Sequence, residues 1–285
     1  MVLTICGAVK LQLNLLQAAF LGLLQGLSEF LPISSSGHLI LGAAVLGLPA
    51  PGLSFSIMVH LGTALATVVM LWGEVTWLVR GVFLPKDRSH RGRALGIGGL
   101  ILVASIPAAL VALLAKDIVE RAFSSAIVAS AGLIFTGFAL YLTKGRGGRG
   151  SSTRPEMLGT VGLGRALTIG VAQALAITPG VSRSGMTMAT GLLTGASRED
   201  SARFSFLMAI PAVLGGAFLD YRAAVQAGVS MISPEGLTGA AVAFVAGMFA
   251  LAVVFRVVRK GELSKFAYYC WAVGLPSLIW FLTRR

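Results

Sequence analysis

Two polar segments of this 285-residue chain carry the residue types that chemistry requires. The first reads Gln-Gly-Leu-Ser-Glu-Phe-Leu-Pro-Ile-Ser-Ser-Ser-Gly-His from Gln25 to His38, and the second reads Pro-Gly-Val-Ser-Arg-Ser-Gly from Pro179 to Gly185. Long apolar stretches flank both segments, and polar groups in such surroundings are costly unless they are paired or bind a ligand. We therefore interpret the two segments as the two halves of one candidate active site.

In the first segment, Gln25 and Glu29 are four residues apart and would share one face of a helix. A carboxylate beside an amide in apolar surroundings could hold a divalent cation or take part in proton transfer. A structural hydrogen bond between the two side chains is the alternative. We expect a functional role, because a carboxylate inside a membrane is expensive to keep.

The serines of the first segment, Ser34, Ser35 and Ser36, lie between a proline and a glycine. One of them is expected to cap a helix, and a helix N-terminus lined with hydroxyls can also bind an anion such as phosphate. His38 follows Ser35 by three residues, close enough to act as a base on a hydroxyl or to attack phosphorus itself. His60 stands alone in the middle of an apolar run and is interpreted as a structural residue.

The second segment contributes the cation that the first lacks. Arg183 lies between two hydroxyls, Ser182 and Ser184, and its guanidinium offers a planar fork suited to phosphate oxygens. A buried ion pair with Glu29 is the structural alternative, and the two arrangements could alternate as ligand comes and goes. Thr187, one turn further on, could add another hydroxyl.

The composition shows what kind of chain must position these groups. It is 56% hydrophobic and only 12% charged, which indicates a polytopic membrane protein. The net charge of +12 is concentrated in short segments around 80–93, 144–165 and 256–265. This is the positive-inside pattern, so the charge indicates orientation and contact with membrane lipids and not nucleic-acid binding. Two distant cysteines, Cys6 and Cys270, provide no disulfide or metal framework, and we expect no removable signal peptide.

An internal repeat with an offset of 148 residues predicts the architecture. The offset superposes Gly22 on Gly170, Gln25 on Gln173, Leu27 on Leu175, Ser34 on Ser182, Ser36 on Ser184, Gly37 on Gly185 and Gly47 on Gly195. Each half is predicted to be an all-α unit, with a re-entrant helix hairpin followed by three transmembrane helices. Because three is odd, the second half enters the membrane from the opposite side, which gives an inverted-topology repeat.

The predicted boundaries follow from the apolar runs. The first repeat is 1–146 (hairpin 11–48, spans 53–79, 94–115 and 123–142), the connector is 147–162, and the second repeat is 163–285 (hairpin 163–193, spans 201–219, 237–255 and 266–282). With the three basic segments in the cytoplasm, both termini and the opening of the first hairpin are predicted to be exoplasmic.

The chain resembles the undecaprenyl-diphosphate phosphatase family of bacterial inner membranes, which is linked to bacitracin resistance. The resemblance rests on the motif 25–38, on Pro-Gly-Val-Ser-Arg-Ser-Gly-Met-Thr at 179–187, and on the segment 197–211. It implies removal of the terminal phosphate from a C55 prenyl diphosphate, recycling the lipid carrier of cell-wall synthesis, with a divalent cation (Mg²⁺ or Ca²⁺) promoting activity. Gln25 stands at a position that is Glu or Gln in the family, and one fewer carboxylate weakens a metal site there.

The resemblance also implies residue roles. Glu29, Ser35, His38 and Arg183 correspond to catalytic positions, with Gln25 and Glu29 as candidate metal ligands. The expected mechanism is attack by Ser35 with His38 as its base, and a phosphohistidine at His38 is the alternative. The diphosphate-binding set is predicted to be Gln25, Ser34, Ser36, Ser182, Ser184 and Thr187.

Other kinds of function are compatible with parts of this pattern. A lipid flippase or secondary transporter would also use inverted repeats with broken hairpins. A passive channel would not need a serine, a histidine and an arginine in apolar surroundings. Whether two copies form a homodimer is left open by the sequence.

Overall fold

The computed structural model of the protein describes residues 13–46, 53–148, 158–226 and 232–283. Every regular element in these ranges is an α-helix. The helices are α1 Leu15–Phe30, α2 Ser35–Leu46, α3 Leu53–Met70, α4 Trp72–Phe83, α5 Arg88–Leu114, α6 Lys116–Phe123, α7 Ala126–Tyr141, α8 Leu163–Leu175, α9 Arg183–Leu193, α10 Arg198–Gln226, α11 Pro234–Lys260 and α12 Lys265–Thr283. Cys6, the ends of the predicted first hairpin and most of the predicted connector lie outside the described residues.

Several helices are long and apolar enough to cross a membrane. By length and composition, four of the described helices qualify, namely α5, α10, α11 and α12, and up to six spans result if each of two bent helix pairs counts as one. The expectation of an all-α, multi-pass membrane protein is thus confirmed. The run 53–79, expected as one span, instead consists of α3 and α4, which meet at Leu71 with a bend of 81°. Likewise, α6 and α7 meet at 92°.

The first short helix pair, α1 and α2, begins and ends at clear local signals. Asn14 and Gln17 form a reciprocal capping box at the start of α1, with N···O distances of 2.8 and 3.0 Å. Helix α1 ends at Phe30, and the C-cap residue Leu31 has the extended backbone (φ −59°, ψ 136°) that a following proline favours. The Oγ of Ser34 then accepts a hydrogen bond from the backbone N–H of Gly37 (3.2 Å) and caps α2.

The helices cross where small residues allow close approach. Helix α1 lies along α11, with Gly26 facing Ala243, and a Cβ at Gly26 would lie 2.5 Å from the Ala243 carbonyl oxygen. In the other half of the chain, α8 packs on α5 with Gly170 facing Ala104. Helices α7 and α12 form a third extensive contact. This use of small residues is typical of helix packing in membranes.

Two basic segments meet at one end of the helix bundle. The backbone N–H of Arg198 donates to the carbonyl of Gly148 (3.3 Å), and its guanidinium donates to the carbonyl of Arg259 (3.4 Å). On the same side, the Asp200 carboxylate accepts hydrogen bonds from the backbone and hydroxyl of Thr160 (3.0 and 2.6 Å). This end therefore carries positive charge from both the middle of the chain and the end of α11.

Candidate active site

The turns of the two short helix pairs are in direct contact. A Cβ at Gly37 would lie 3.0 Å from the Cα of Gly180, and one at Gly185 would lie 3.2 Å from the Cβ of Pro32. The two polar segments of the sequence are therefore brought together, although they are about 150 residues apart in the chain.

A cavity of about 360 Å³ opens where the turns meet. Six of the predicted site residues contribute to its wall, together with apolar groups from α3 and α10. The lining comprises Ser28, Glu29, Ser34, Ser35, Ser36, Ile57, His60, Phe123, Ala176, Ile177, Val181, Ser182, Arg183, Ala212, Val213, Gly216 and Ala217. The polar groups thus face an otherwise apolar wall, which is the arrangement that an amphiphilic substrate requires.

Glu29 is the centre of the polar contacts. One carboxylate oxygen accepts hydrogen bonds from Gln25 Nε2 (2.9 Å) and Ser35 Oγ (2.8 Å). The other forms an ion pair with Arg183 across the two turns. The Glu29 side chain is only 8% exposed, so this charge depends on its partners for stability.

Arg183 is positioned by the second turn and by a neighbouring helix. Gly180 adopts φ +84°, and a Cβ there would collide with the Ala129 carbonyl, so the position requires glycine. Thr136 of α7 donates to the carbonyl of Gly180 (3.2 Å) and accepts from the backbone N–H of Ser182 (2.9 Å). Thr136 lies outside both sequence motifs and could not be predicted as part of the site, because no motif links it to a turn more than 40 residues away.

Ser34 holds an uncommon backbone conformation in the wall of the cavity. Its φ of +67° lies in the left-handed region, which residues other than glycine seldom adopt and which often marks functional sites. The conformation is supported by the cap on α2 and by His38, whose Nδ1–H donates to the Ser34 carbonyl (2.8 Å). The turn is therefore braced in the geometry that presents Ser35 to Glu29.

His38 lies beside the cavity and is absent from its wall. Its Nε2 is 2.9 Å from the hydroxyl of Tyr269 in α12, and the two rings stack with centroids 5.6 Å apart. Because Nδ1 donates to a carbonyl, Nε2 of the neutral ring accepts from the tyrosine. The hydroxyl of Ser35 donates to Glu29 and not to His38, so the predicted serine–histidine pair is not formed in this arrangement.

His60 lies in the cavity wall, where sequence analysis expected only a structural residue. Its Nδ1–H donates to the Ser56 carbonyl (2.7 Å), which leaves Nε2 of the neutral ring as an acceptor. The signal that could have indicated a place for His60 in the site is that it is a titratable group within an apolar helix, which is by default a functional candidate.

Three predicted ligands, Gln25, Ser184 and Thr187, position their neighbours and are not part of the cavity wall. Ser184 Oγ lies 3.5 Å from the Leu31 carbonyl and links the two turns. Thr187 donates to the Arg183 carbonyl (2.8 Å) and lies 2.6 Å from the hydroxyl of Ser205.

The residues present do not fit a metal ion held by the protein alone. Within the described ranges, no three His, Cys, Asp or Glu side chains lie close enough together to form a metal site. Glu29 already uses both oxygens, and the buried Oε1 of Gln25 has no hydrogen-bond partner among the residues that the structure describes. One engaged carboxylate and one amide are too few ligands for Mg²⁺ or Ca²⁺.

The fold and site together define a multi-pass helical membrane protein with a polar cavity between two helix turns. Its family follows from comparison: the family described as Bacitracin resistance protein BacA matches residues 18–276. This chain belongs to that family.

Relatives named undecaprenyl-diphosphatase are similar along nearly their whole length. The protein from Desulforapulum autotrophicum is 40% identical over 277 residues, which cover 94% of this chain and 98% of the relative. The protein from Bacteroides fragilis is 39% identical, with coverage of 92% and 97%. The protein from Korarchaeum cryptofilum is 38% identical, with coverage of 93% and 99%.

Proposed function

We propose that this protein is an undecaprenyl-diphosphate phosphatase, which hydrolyses the diphosphate to undecaprenyl phosphate and inorganic phosphate and so recycles the lipid carrier of cell-wall synthesis. The names of the relatives give the substrate. The observation in the structure that supports the reaction is the hydrogen bond from Ser35 to a carboxylate that also pairs with Arg183. A nucleophile, a proton acceptor and an anion-binding cation thereby share one cavity.

In the proposed mechanism, the incoming diphosphate takes over the guanidinium of Arg183 from Glu29. The terminal phosphate then lies against Arg183 and the serine hydroxyls of both turns, where the N-terminus of α2 also favours negative charge. Losing its cationic partner makes the Glu29 carboxylate a stronger base. Substrate binding would thus prepare the base for the reaction.

Glu29 next accepts the proton of Ser35 as Oγ attacks the terminal phosphorus. The bond from that phosphorus to the bridging oxygen breaks, and its electron pair leaves with undecaprenyl phosphate. Water then attacks the phosphoserine, the bond from phosphorus to Oγ breaks, and Glu29 returns its proton to Ser35. The water proton leaves with the inorganic phosphate or through His60. Arg183 stabilises the negative charge that develops in both steps.

We also propose that the two halves of the chain form an inverted repeat. Corresponding helices of the two short pairs begin 148 residues apart. Helix α1 begins at Leu15 and α8 at Leu163, and α2 begins at Ser35 and α9 at Arg183. The contacts are reciprocal, since α1 of the first half packs on α11 of the second, and α8 of the second packs on α5 of the first. If the basic loops lie on the cytoplasmic side of the inner membrane, the cavity would open toward the exoplasmic side.

The divalent cation expected from the family resemblance stays a prediction. Because the cavity lacks the ligands for a resident ion, we propose that such an ion would arrive bound to the oxygens of the diphosphate. Removal of divalent cations with a chelator should then raise KM, while the melting temperature of the free protein should stay nearly unchanged.

Trapping the phosphoenzyme tests the proposed function. Detergent-solubilised protein should release phosphate from a prenyl diphosphate without any membrane gradient, and acid quenching should leave labelled phosphoserine on the wild type but not on Ser35→Ala. Ser36→Ala, one residue away on the same wall, is the control that should still take up label. Lipid transport into sealed vesicles without phosphate release would instead favour the flippase alternative.

A further inference from the structure

A second cavity, of about 500 Å³, lies at the end of the bundle that carries the basic segments. It forms where the bend between α3 and α4 meets the start of α10 and the last turns of α11. Its wall consists of Met70, Leu71, Glu74, Arg203, Ala252, Phe255, Arg256, Arg259 and Lys260. It shares no lining residue with the candidate active site.

Part of the charge in this second cavity is neutralised by ion pairs within the protein. Arg203 lies between two carboxylates, with N···O distances of 3.4 Å to Glu74 and 3.7 Å to Glu199. Glu199 also pairs with Arg259 (3.3 Å). These contacts join α4, α10 and α11, so they account structurally for two of the four cations in the wall.

The other two cations, Arg256 and Lys260, are not used in this way. They are four residues apart on α11 and therefore share one face of the helix. Both are exposed, and neither forms an ion pair with any residue in the described part of the chain. The wall thus presents two cations that form no ion pair with a carboxylate in the described part of the chain.

The uncharged part of the wall is apolar and consists of Met70, Leu71, Ala252 and Phe255. Leu71 belongs to the buried core, Met70 and Phe255 are partly buried and pack against that core, and Ala252 is exposed. Arg256 follows Phe255 directly, so the change from apolar to cationic wall falls within one helical turn, as expected near a membrane surface. A ligand that matches this wall carries a negative head and a hydrocarbon chain.

We propose that the second cavity binds the phosphate diester head of an anionic membrane phospholipid, with Arg256 and Lys260 on the phosphate and the acyl chain along the apolar wall. Basic pockets between helices on the cytoplasmic side of membrane proteins are suited to such head groups. The shared chemistry is phosphate recognition, which inorganic phosphate would also satisfy. The apolar half of the wall favours the lipid, because a free ion would leave it without a partner.

Lipid retention by the purified full-length protein tests this proposal. The protein is mixed in detergent with equal amounts of phosphatidylglycerol and phosphatidylcholine, and bound lipid is counted by native mass spectrometry. The wild type should retain phosphatidylglycerol preferentially, and the double variant Arg256→Gln, Lys260→Gln should lose that preference by about 10-fold. The matched control is Arg88→Gln, Arg91→Gln, which removes two exposed charges outside the cavity and should behave like the wild type.

Three results would overturn the proposal. One is equal retention of the two lipids by the wild type, and another is an equal loss of preference in the control variant, which would indicate only a general effect of charge. The third is competition of inorganic phosphate with phosphatidylglycerol at equal concentration, which would indicate a site for the free ion. Melting temperatures of both variants show that any loss is not due to unfolding.

Discussion

At the scale of single residues, the ion pair between Arg183 and Glu29 connects the two polar segments electrostatically. Arg183 is 23% exposed at its side chain and Glu29 is 8% exposed, so the pair is accessible to a ligand from the arginine side. A pair that must open for the substrate has to be strong enough to hold the free site together and weak enough to be exchanged. Phosphate oxygens, which accept from the same guanidinium fork, provide that exchange.

Replacement of Arg183 by alanine should lower kcat by about 10²-fold or more, because the charge that develops on the transferred phosphate loses its stabilising cation. Arg183→Lys should recover only part of the activity, since an ammonium cannot form the bidentate contact. Phosphate release from prenyl diphosphate in detergent is the measurement. Near-normal turnover by a correctly inserted Arg183→Ala protein would contradict the assignment.

The two histidines should respond differently to substitution. His60→Leu should lower kcat, on the order of 10²-fold if its Nε2 acts in proton transfer, and it also loses the hydrogen bond to the Ser56 carbonyl (2.7 Å), at a cost of about 1 kcal/mol. His38→Leu should lower both activity and melting temperature, because the Ser34 turn loses a hydrogen bond worth about 1 kcal/mol. The comparison uses steady-state kinetics and thermal unfolding of both variants.

The control for this pair of histidines is Tyr269→Phe, which removes only the hydrogen bond to Nε2 of His38 and keeps the stacked ring. It should retain most of the activity. If His60→Leu were fully active and His38→Leu were inactive without loss of stability, His38 and not His60 would be the group that serves the reaction.

At the scale of helices, the position of Glu29 depends on how closely α1 approaches α11. Gly26→Ala should destabilise the protein by about 1–3 kcal/mol, because the new methyl group would press on the Ala243 carbonyl and the Ala246 side chain. Gly98→Ala in α5 is the matched control, since a Cβ there meets nothing within 4 Å. Thermal unfolding in detergent measures both. Equal melting temperatures would mean that the crossing is looser than described.

Helix α10 supplies the apolar side of the active-site cavity, and Gly216 is the position where this can be tested. A Cβ at either Gly216 or Gly215 meets open space, but only Gly216 lines the cavity. Gly216→Leu should therefore fold normally and raise KM for the long-chain substrate, while Gly215→Leu should have normal kinetics. Equal kinetics in the two variants would show that the lipid chain does not pass along this wall.

How far the sequence predicted these elements depends on whether the signal is local. The turns of the short helix pairs are marked by Pro32 and by the capping residues Ser34 and Ser182, and such signals can be recognised in the sequence. The break at Leu71 has no proline, and its neighbour Glu74 pairs with Arg203 more than 100 residues away. That contact depends on tertiary packing, so sequence reasoning expected one continuous span.

The same distinction explains the active site. The residues within each motif could be grouped by spacing alone, and the structure brings Glu29, Ser35 and Arg183 into contact. The wall contributed by other helices could not be predicted, because nothing local shows that His60 of α3 faces the turns. The orientation of His38 toward Tyr269 was missed for the same reason, since the two residues are separated by 231 positions.

At the scale of the whole molecule, the repeat and the charge distribution together predict on which side of the membrane each loop lies. If the halves are inverted, the loops that join successive spans alternate between the two sides of the membrane. The loop between α4 and α5 and the start of α12 would then share the basic side. The loop between α6 and α7 and the end of α10 would lie on the other.

Single cysteines introduced at four exposed positions should therefore be labelled in two pairs, each from a different side of the membrane. The background is a protein in which both native cysteines are replaced by serine. In intact spheroplasts, a membrane-impermeant maleimide should react with Ser124→Cys and Gln226→Cys, because their loops carry fewer basic residues and should be exoplasmic. Lys86→Cys and Lys265→Cys should react only after lysis, which also serves as the control that every site can be labelled. Labelling of the lysine positions alone in intact cells would reverse the orientation and keep the repeat. Each pair has one position in each half of the chain. If the two positions of a pair were labelled from different sides of the membrane, the inverted arrangement would be ruled out.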